Sequence, residues 1–297
     1  QVLTSTGSGV AFEDASGGAE SINDLTDAKT FGTSSIMLGD ATTGTIDAAN
    51  YNTGVGVDVF EDLTSGDNNA AFGFFALGNN TSGGNNTMVG AYAGALNIDD
   101  ADNTAVGYAA NYPDGGSNVT AVGSVALNAN TASDNTAVGK GALTATVGGA
   151  NNTAVGSLAG VANTSGSENS FLGYRAGMTT TTATTNTVIG SFSLDNGAAN
   201  TGGANTVIGH GAARVITSGT NNTTLGYDAG VAITTGTYNI CIGGVGAGNT
   251  ITTGSGNIAI GSSALTTLTA STYPNIAIGE NALYSMATGY QNIAIGY

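Results

Sequence analysis

The sequence predicts an all-β fold, a parallel β-solenoid (β-roll) of about sixteen stacked coils with about 17 residues each. Three observations predict it. A pentapeptide of the form Asn-Thr-x-Val-Gly recurs along the chain, its closing glycines are mostly 17 residues apart, and its centre is short and rich in Thr, Val and Ile. Helical-hairpin repeats need more than about 30 residues, so 17 residues favour short strands and turns.

The pentapeptide reads NTAVG at 103–107, NTVIG at 186–190 and NIAIG at 257–261. Weaker copies end at Gly39, Gly56 and Gly73, and the steps between copies are 16 to 19 residues. A closing glycine suits a backbone with positive φ or a close approach to a neighbouring coil. These structural glycines are Gly90, Gly107, Gly123, Gly139, Gly156, Gly173, Gly190, Gly209, Gly226, Gly243, Gly261, Gly279 and Gly296.

The repeat divides the chain into two predicted domains. Residues 1–34 lack it and are expected to form an N-terminal cap or junction, with a short helix near Ile22–Lys29, whereas residues 35–297 form the solenoid. A coil of about 17 residues suits two short strands and two turns. With coils about 4.8 Å apart, sixteen coils predict a rod of roughly 75 Å.

Each strand has two faces that need an assignment. The residues one and three before the glycine, such as Thr104 and Val106, point the same way in a strand, and we expect them inside the coil. Ala105 and its equivalents then point outward and, being apolar, are expected to pack against another copy of the chain. Because Thr alternates with Ile in the first column, we expect that column buried, which argues against an ice-binding face of outward threonines.

Asparagine opens nearly every pentapeptide, and stacked asparagines can form hydrogen-bonded ladders. This predicted structural ladder contains Asn86, Asn103, Asn135, Asn152, Asn169, Asn186, Asn205, Asn222, Asn239, Asn257, Asn275 and Asn292. The position after the glycine varies among Lys, Tyr, Glu, Ser and His, which is typical of solvent exposure. We therefore predict that a ligand would contact this column, at Tyr108, Tyr174 and Tyr227.

Composition excludes several classes of protein. Charged residues are 8% of the chain, against about 25% in an average domain. Because 40% of the residues are hydrophobic, the composition does not indicate a disordered chain. The net charge of −16 predicts no nucleic-acid partner and repulsion from anionic membranes. No apolar stretch is long enough to span a membrane. The chain starts at Gln1, as expected for a removed leader or a trimmed fragment.

The pentapeptide with its trailing Ala-Leu or Ala-Gly pair, as in Ala142-Leu143 and Ala159-Gly160, resembles the head repeats of YadA-like trimeric autotransporter adhesins. The resemblance covers residues 35–297 and implies left-handed β-rolls packed as trimers. The adhesin repeat is nearer fourteen residues, and its usual serine is alanine here except at Ser193. The chain also resembles phage tail-fibre repeats. Both families imply a non-catalytic attachment fibre.

No residue pattern indicates an enzyme, a cofactor or a metal site. His210 is the only histidine and lies in the variable surface column, so no catalytic cluster surrounds it. Cys241, the only cysteine, is expected to act as a small buried hydrophobe. The acidic residues Asp99, Asp100 and Asp102 are better explained as a solvated turn than as calcium ligands.

Two functions remain open from the sequence. The first is an extracellular, cell-surface or virion attachment fibre, a homotrimer that binds a glycan or a cell-surface receptor. The second is a self-polymerising structural filament, because the repeat stops within a coil and an open end invites head-to-tail stacking. A hydrolase is a weak third hypothesis, because it needs an acidic or histidine cluster on adjacent coils.

Overall fold

A computed structural model describes residues 2–5, 10–13, 28–31, 33–39, 48–113, 115–195, 197–268 and 274–297. The described residues form strands, turns and irregular segments, and none of them is helical. They belong to two compact units, unit 1 (Gln1–Val125) and unit 2 (Ala126–Tyr297). Most of the predicted helix at 22–29 lies outside the described residues, and its last two residues begin a strand instead.

The described residues of unit 1 form nine strands. They are β1 (Val2–Ser5), β2 (Val10–Glu13), β3 (Ala28–Phe31), β4 (Ser35–Leu38), β5 (Thr53–Val55), β6 (Ala70–Phe72), β7 (Thr87–Val89), β8 (Thr104–Val106) and β9 (Thr120–Val122). Strands β1 and β2 form an antiparallel pair. Strand β3 pairs antiparallel with β4, so pairing in the large sheet begins before the first pentapeptide. From β4 to β9 every strand pairs parallel with the next.

In the part of unit 2 that the structure describes there are ten strands, each pairing parallel with the next. They are β10 (Thr136–Val138), β11 (Thr153–Val155), β12 (Ser170–Leu172), β13 (Thr187–Ile189), β14 (Thr206–Ile208), β15 (Thr223–Leu225), β16 (Ile240–Ile242), β17 (Ile258–Ile260), β18 (Ile276–Ile278) and β19 (Ile293–Ile295). The predicted all-β solenoid with coils of about 17 residues is confirmed. The left-handed winding stays a prediction.

The internal organisation of the coil differs from the prediction of two strands. Each coil contributes one short strand, and the rest of the coil is a succession of turns. The turns also hydrogen-bond from coil to coil, as the amides of Leu143 and Val147 donate to the carbonyls of Ala159 and Thr164 at 3.0 and 2.8 Å. Stacked turns thereby satisfy the backbone without a second sheet.

The assignment of the strand faces was wrong. The middle residue of every strand from β5 to β18 is buried, including Ala105, Met88 and Phe171, whereas the flanking residues Thr104 and Val106 are exposed. Size explains the reversal. The coil is narrow and its interior already holds the alanines and leucines of the turn, such as Ala142 and Leu143, so small residues dominate the inward strand column.

The closing glycines bring successive coils close together at one point. Gly139 has φ of +139°, and a Cβ added there would lie 2.5 Å from the carbonyl carbon and oxygen of Gly156. Both the conformation and the contact require the absence of a side chain. The same contact recurs along both units. Because each closing glycine stacks on the next, the spacing between them equals the length of one coil.

Candidate functional site

The predicted asparagine ladder lies inside the coils and holds turns in place. Within unit 2, the Asn152 amide N–H donates to Oδ1 of Asn135 at 2.9 Å, and its Nδ2 donates to the carbonyl of Gly166 at 2.8 Å. Asn169 repeats the first bond to Oδ1 of Asn152. In unit 1 the ladder starts earlier, at Asn52, and Val119 replaces asparagine in the coil of β9. From Asn52 to Asn275 these side chains are buried scaffold groups that offer no surface to a ligand, whereas Asn292 in the last coil is exposed.

The outward residues of the strands form the first candidate surface. We define the outer strand face as the first and third residues of the strands β5 to β9 in unit 1 and β10 to β19 in unit 2. It contains no charged residue in either unit, although the chain carries a net charge of −16. Its side chains include Val106, Leu172 and Leu225, which are 38%, 48% and 43% exposed.

The outer strand face of unit 2 has two chemically different parts. Strands β10 to β15 present a hydroxyl column, with Thr153 and Thr206 as examples, beside a column of Val, Leu and Ile. No described residue hydrogen-bonds to the Thr153 or Thr206 hydroxyl. Strands β16 to β19 present isoleucine in both columns. Because the threonines face outward, their supposed burial no longer argues against an ice-binding face.

The second candidate surface is a row of aromatic side chains on four consecutive coils of unit 2, which we call the aromatic ladder. Its members are Tyr174, Phe192, His210 and Tyr227, and successive ring centroids lie 5.3, 5.7 and 5.3 Å apart. The first two contacts are edge-to-face, and His210 stacks nearly parallel to Tyr227. Tyr174 and Tyr227 are about half exposed.

Two ion pairs flank the aromatic ladder. Arg175 lies over the Phe192 ring at 5.4 Å from its centroid, and its Nε is 2.9 Å from Oδ2 of Asp195. Hydrogen bonding to Asp195 raises the pKa of the Arg175 guanidinium. Arg214 pairs with Asp228, the residue after Tyr227, at 3.2 Å. Two of the four cationic residues of the chain therefore lie beside the ladder, and each is neutralised by a carboxylate.

Unit 1 has an aromatic cluster of its own, made of Phe74, Phe75, Tyr92, Tyr108 and Tyr112. Tyr92 is central, with its ring centroid 5.1 Å from Phe74, 6.1 Å from Tyr108 and 6.2 Å from Tyr112. No arginine contacts the cluster, since the only described cation–aromatic pair is in unit 2. The predicted contact residues are thus divided, with Tyr108 in this cluster and Tyr174 and Tyr227 in the ladder.

The structure places the candidate reactive groups apart from one another. His210 is exposed within the ladder, and Cys241 is fully buried, where desolvation raises the pKa of its thiol to about 12. Asp100 accepts hydrogen bonds from the Gly116 amide and the Ser117 hydroxyl. Across the described ranges, no three His, Cys, Asp or Glu side chains group in a way that could hold a metal ion. Nor do those ranges contain a long apolar helix of membrane-spanning length.

One member of the aromatic ladder, Phe192, was not expected from the sequence. Only the position directly after the glycine, where Tyr174, His210 and Tyr227 lie, was expected to face solvent, whereas Phe192 is two residues after Gly190. Aromatic residues at either position in successive coils are the signal that would have found both clusters.

Comparison with protein-family models, curated proteins and solved structures gives no significant match to this chain. The functional conclusions below therefore depend on the two surfaces themselves.

Proposed function

We propose that this chain is a non-enzymatic attachment-fibre protein, acting outside the cell or on a virion, whose copies join side by side as a homotrimer through the outer strand face. The single observation that carries the proposal is that this face is uncharged and rich in exposed aliphatic side chains on a strongly acidic chain. Contiguous exposed apolar surface marks interaction sites.

Charge favours a second copy as the partner of this face. Two chains of net charge −16 repel one another over most of their surfaces, and association is least opposed where no carboxylate lies. The regular spacing of the strands allows the same residues to meet coil after coil, and threonine hydroxyls without internal partners can pair across the interface. The resemblance to trimeric fibre proteins supports three chains in the oligomer.

Light scattering tests this proposal directly. We expect the wild-type protein to have three times the chain mass of 28.7 kDa. The double variant Ile258→Lys/Ile276→Lys places charges on the outer strand face and should be monomeric. Val245→Lys is the matched control, since Val245 is exposed but lies in the turn after β16, and it should remain trimeric. Circular dichroism of each variant verifies folding.

Two other results would replace the proposal. A wild-type monomer would contradict it, and a mass that grows with concentration would favour the end-to-end filament. An outward threonine face also raises the alternative of ice binding. That alternative is less favoured because an apolar residue occupies the third position of every strand of the face and isoleucine replaces threonine from β16 onward. A monomer that shows thermal hysteresis would favour ice binding over attachment.

A further inference from the structure

We propose that the aromatic ladder of unit 2 binds a neutral, linear carbohydrate chain. This inference rests on the proposed attachment function, for which it supplies the class of ligand.

The rings provide the apolar part of the site. Tyr174, Phe192, His210 and Tyr227 belong to consecutive coils, so the ladder runs in the direction in which the coils of unit 2 stack. An extended polymer of sugar rings presents C–H groups repeatedly along its length, and a row of aromatic groups can contact several of them at once. Tyrosine suits such a surface because its ring is apolar and its hydroxyl remains hydrated.

The ion pairs provide the polar part. Sugar hydroxyls both donate and accept hydrogen bonds. The Arg175 and Arg214 side chains, 33% and 43% exposed, offer donors, and the Asp228 carboxylate, 22% exposed, offers an acceptor. The Asp195 carboxylate is only 2% exposed, so it holds Arg175 in place and does not reach a ligand. The Asp228 carboxylate reaches its place because Gly211 has no side chain, since a Cβ there would lie 2.2 Å from Oδ1.

Charge distinguishes a neutral glycan from the other candidates. A nucleic acid could stack on the rings, but its phosphates would be repelled by a chain of net charge −16. An acidic glycan needs a free cation, whereas both arginines of the site are already paired with carboxylates. A protein partner usually covers about 800 Å² on each side, far more than a single row of four rings.

The test is binding of the full chain to soluble hexasaccharides of β-linked glucose, β-linked mannose and N-acetylglucosamine, followed by saturation-transfer difference NMR and calorimetry. We expect at least one of the three probes to bind. Tyr174→Ala and Tyr227→Ala should each weaken that binding about tenfold or more, as expected for an aromatic contact at the centre of a site. Tyr238→Ala is the control, because Tyr238 is 66% exposed and makes no contact with the ladder.

Binding of none of the three probes would overturn the inference, and so would an equal loss of affinity in all three tyrosine variants. The monomeric variant Ile258→Lys/Ile276→Lys separates this inference from the proposed function. If that variant retains hexasaccharide affinity, the ladder is a site of the single chain. If the wild type is trimeric but binds no probe, the fibre proposal stands and the ligand assignment fails.

Discussion

Phe171 in the middle of β12 occupies the core space in front of Gly177, so that a Cβ on Gly177 would lie 2.2 Å from the Phe171 ring. The positions are complementary in other coils as well. Ala137 faces inward six residues before Leu143, and Met88 lies against Gly94 in the same relationship. In these three coils a large strand residue is matched by glycine in the turn, and alanine is matched by leucine. Ala154 differs, because it precedes Gly160, whose space is filled by the Phe171 ring and by Leu143 from the neighbouring coils. The two positions share one core volume, which explains how a regular coil tolerates Phe, Met and Ala in one column.

This complementarity predicts a compensating pair of substitutions. Phe171→Ala should lower the free energy of unfolding by about 3 to 5 kcal/mol, as for other buried phenylalanines. Gly177→Leu alone should also be destabilising because of overpacking. The double variant recreates the Ala137 and Leu143 arrangement, including leucine at positive φ, and should recover more than half of the loss. Thermal melting measures all three, and purely additive losses would show that the two positions do not share space.

The asparagine ladder predicts a large cost for a single polar substitution. Asn152→Ala leaves the buried Asn169 amide N–H without its acceptor, whereas the Gly166 carbonyl keeps a hydrogen bond from Nδ2 of Asn163. An unsatisfied buried group costs about 1 to 3 kcal/mol, so a loss of that size is expected in denaturant unfolding. Asn151→Gly is the control, because Asn151 is exposed and its φ of 59° suits glycine. Equal effects of the two substitutions would rule out this role of the ladder.

Cys241 predicts a specific dependence of stability on pH. Burial raises the pKa of its thiol from 9.0 to about 12. Between these values the unfolded thiol loses its proton while the folded one keeps it, so raising the pH favours the unfolded state. The contribution of the protonated thiol to the free energy of unfolding is fully present below pH 9.0 and is lost as the pH rises towards 12. Chemical denaturation at pH 8 and pH 10.5 should show a smaller drop for Cys241→Ala than for the wild type.

Maleimide labelling provides the companion measurement for Cys241. The native thiol is fully buried and protonated at pH 8, so labelling should occur only after denaturation. Rapid labelling of the native protein would contradict both the burial and the pH prediction.

The fold class could be predicted from the sequence because Gly139 and its equivalents mark each coil. Their spacing stays nearly constant although the turn sequences vary. The sequence was insufficient for the strand faces, because Thr104, Ala105 and Val106 alternate in size rather than in polarity. β-branched residues favour strands on either face. The replacement of threonine by isoleucine at the first strand position therefore did not indicate burial. The ladder was not predicted in full, because Phe192 reaches its neighbours from the second position after the glycine and only the first position was expected to face solvent.

The most direct measurement of the central claim is cysteine cross-linking across the outer strand face. In a Cys241→Ala background, Ile260→Cys places one thiol on that face, and Val245→Cys places one in the turn after β16. If copies associate through this face, mild oxidation yields disulfide-linked dimers of Ile260→Cys at a rate that does not change on dilution, whereas Val245→Cys stays monomeric on denaturing gels. Equal cross-linking of the two variants, or cross-linking of Ile260→Cys that disappears on dilution, would contradict association through this face.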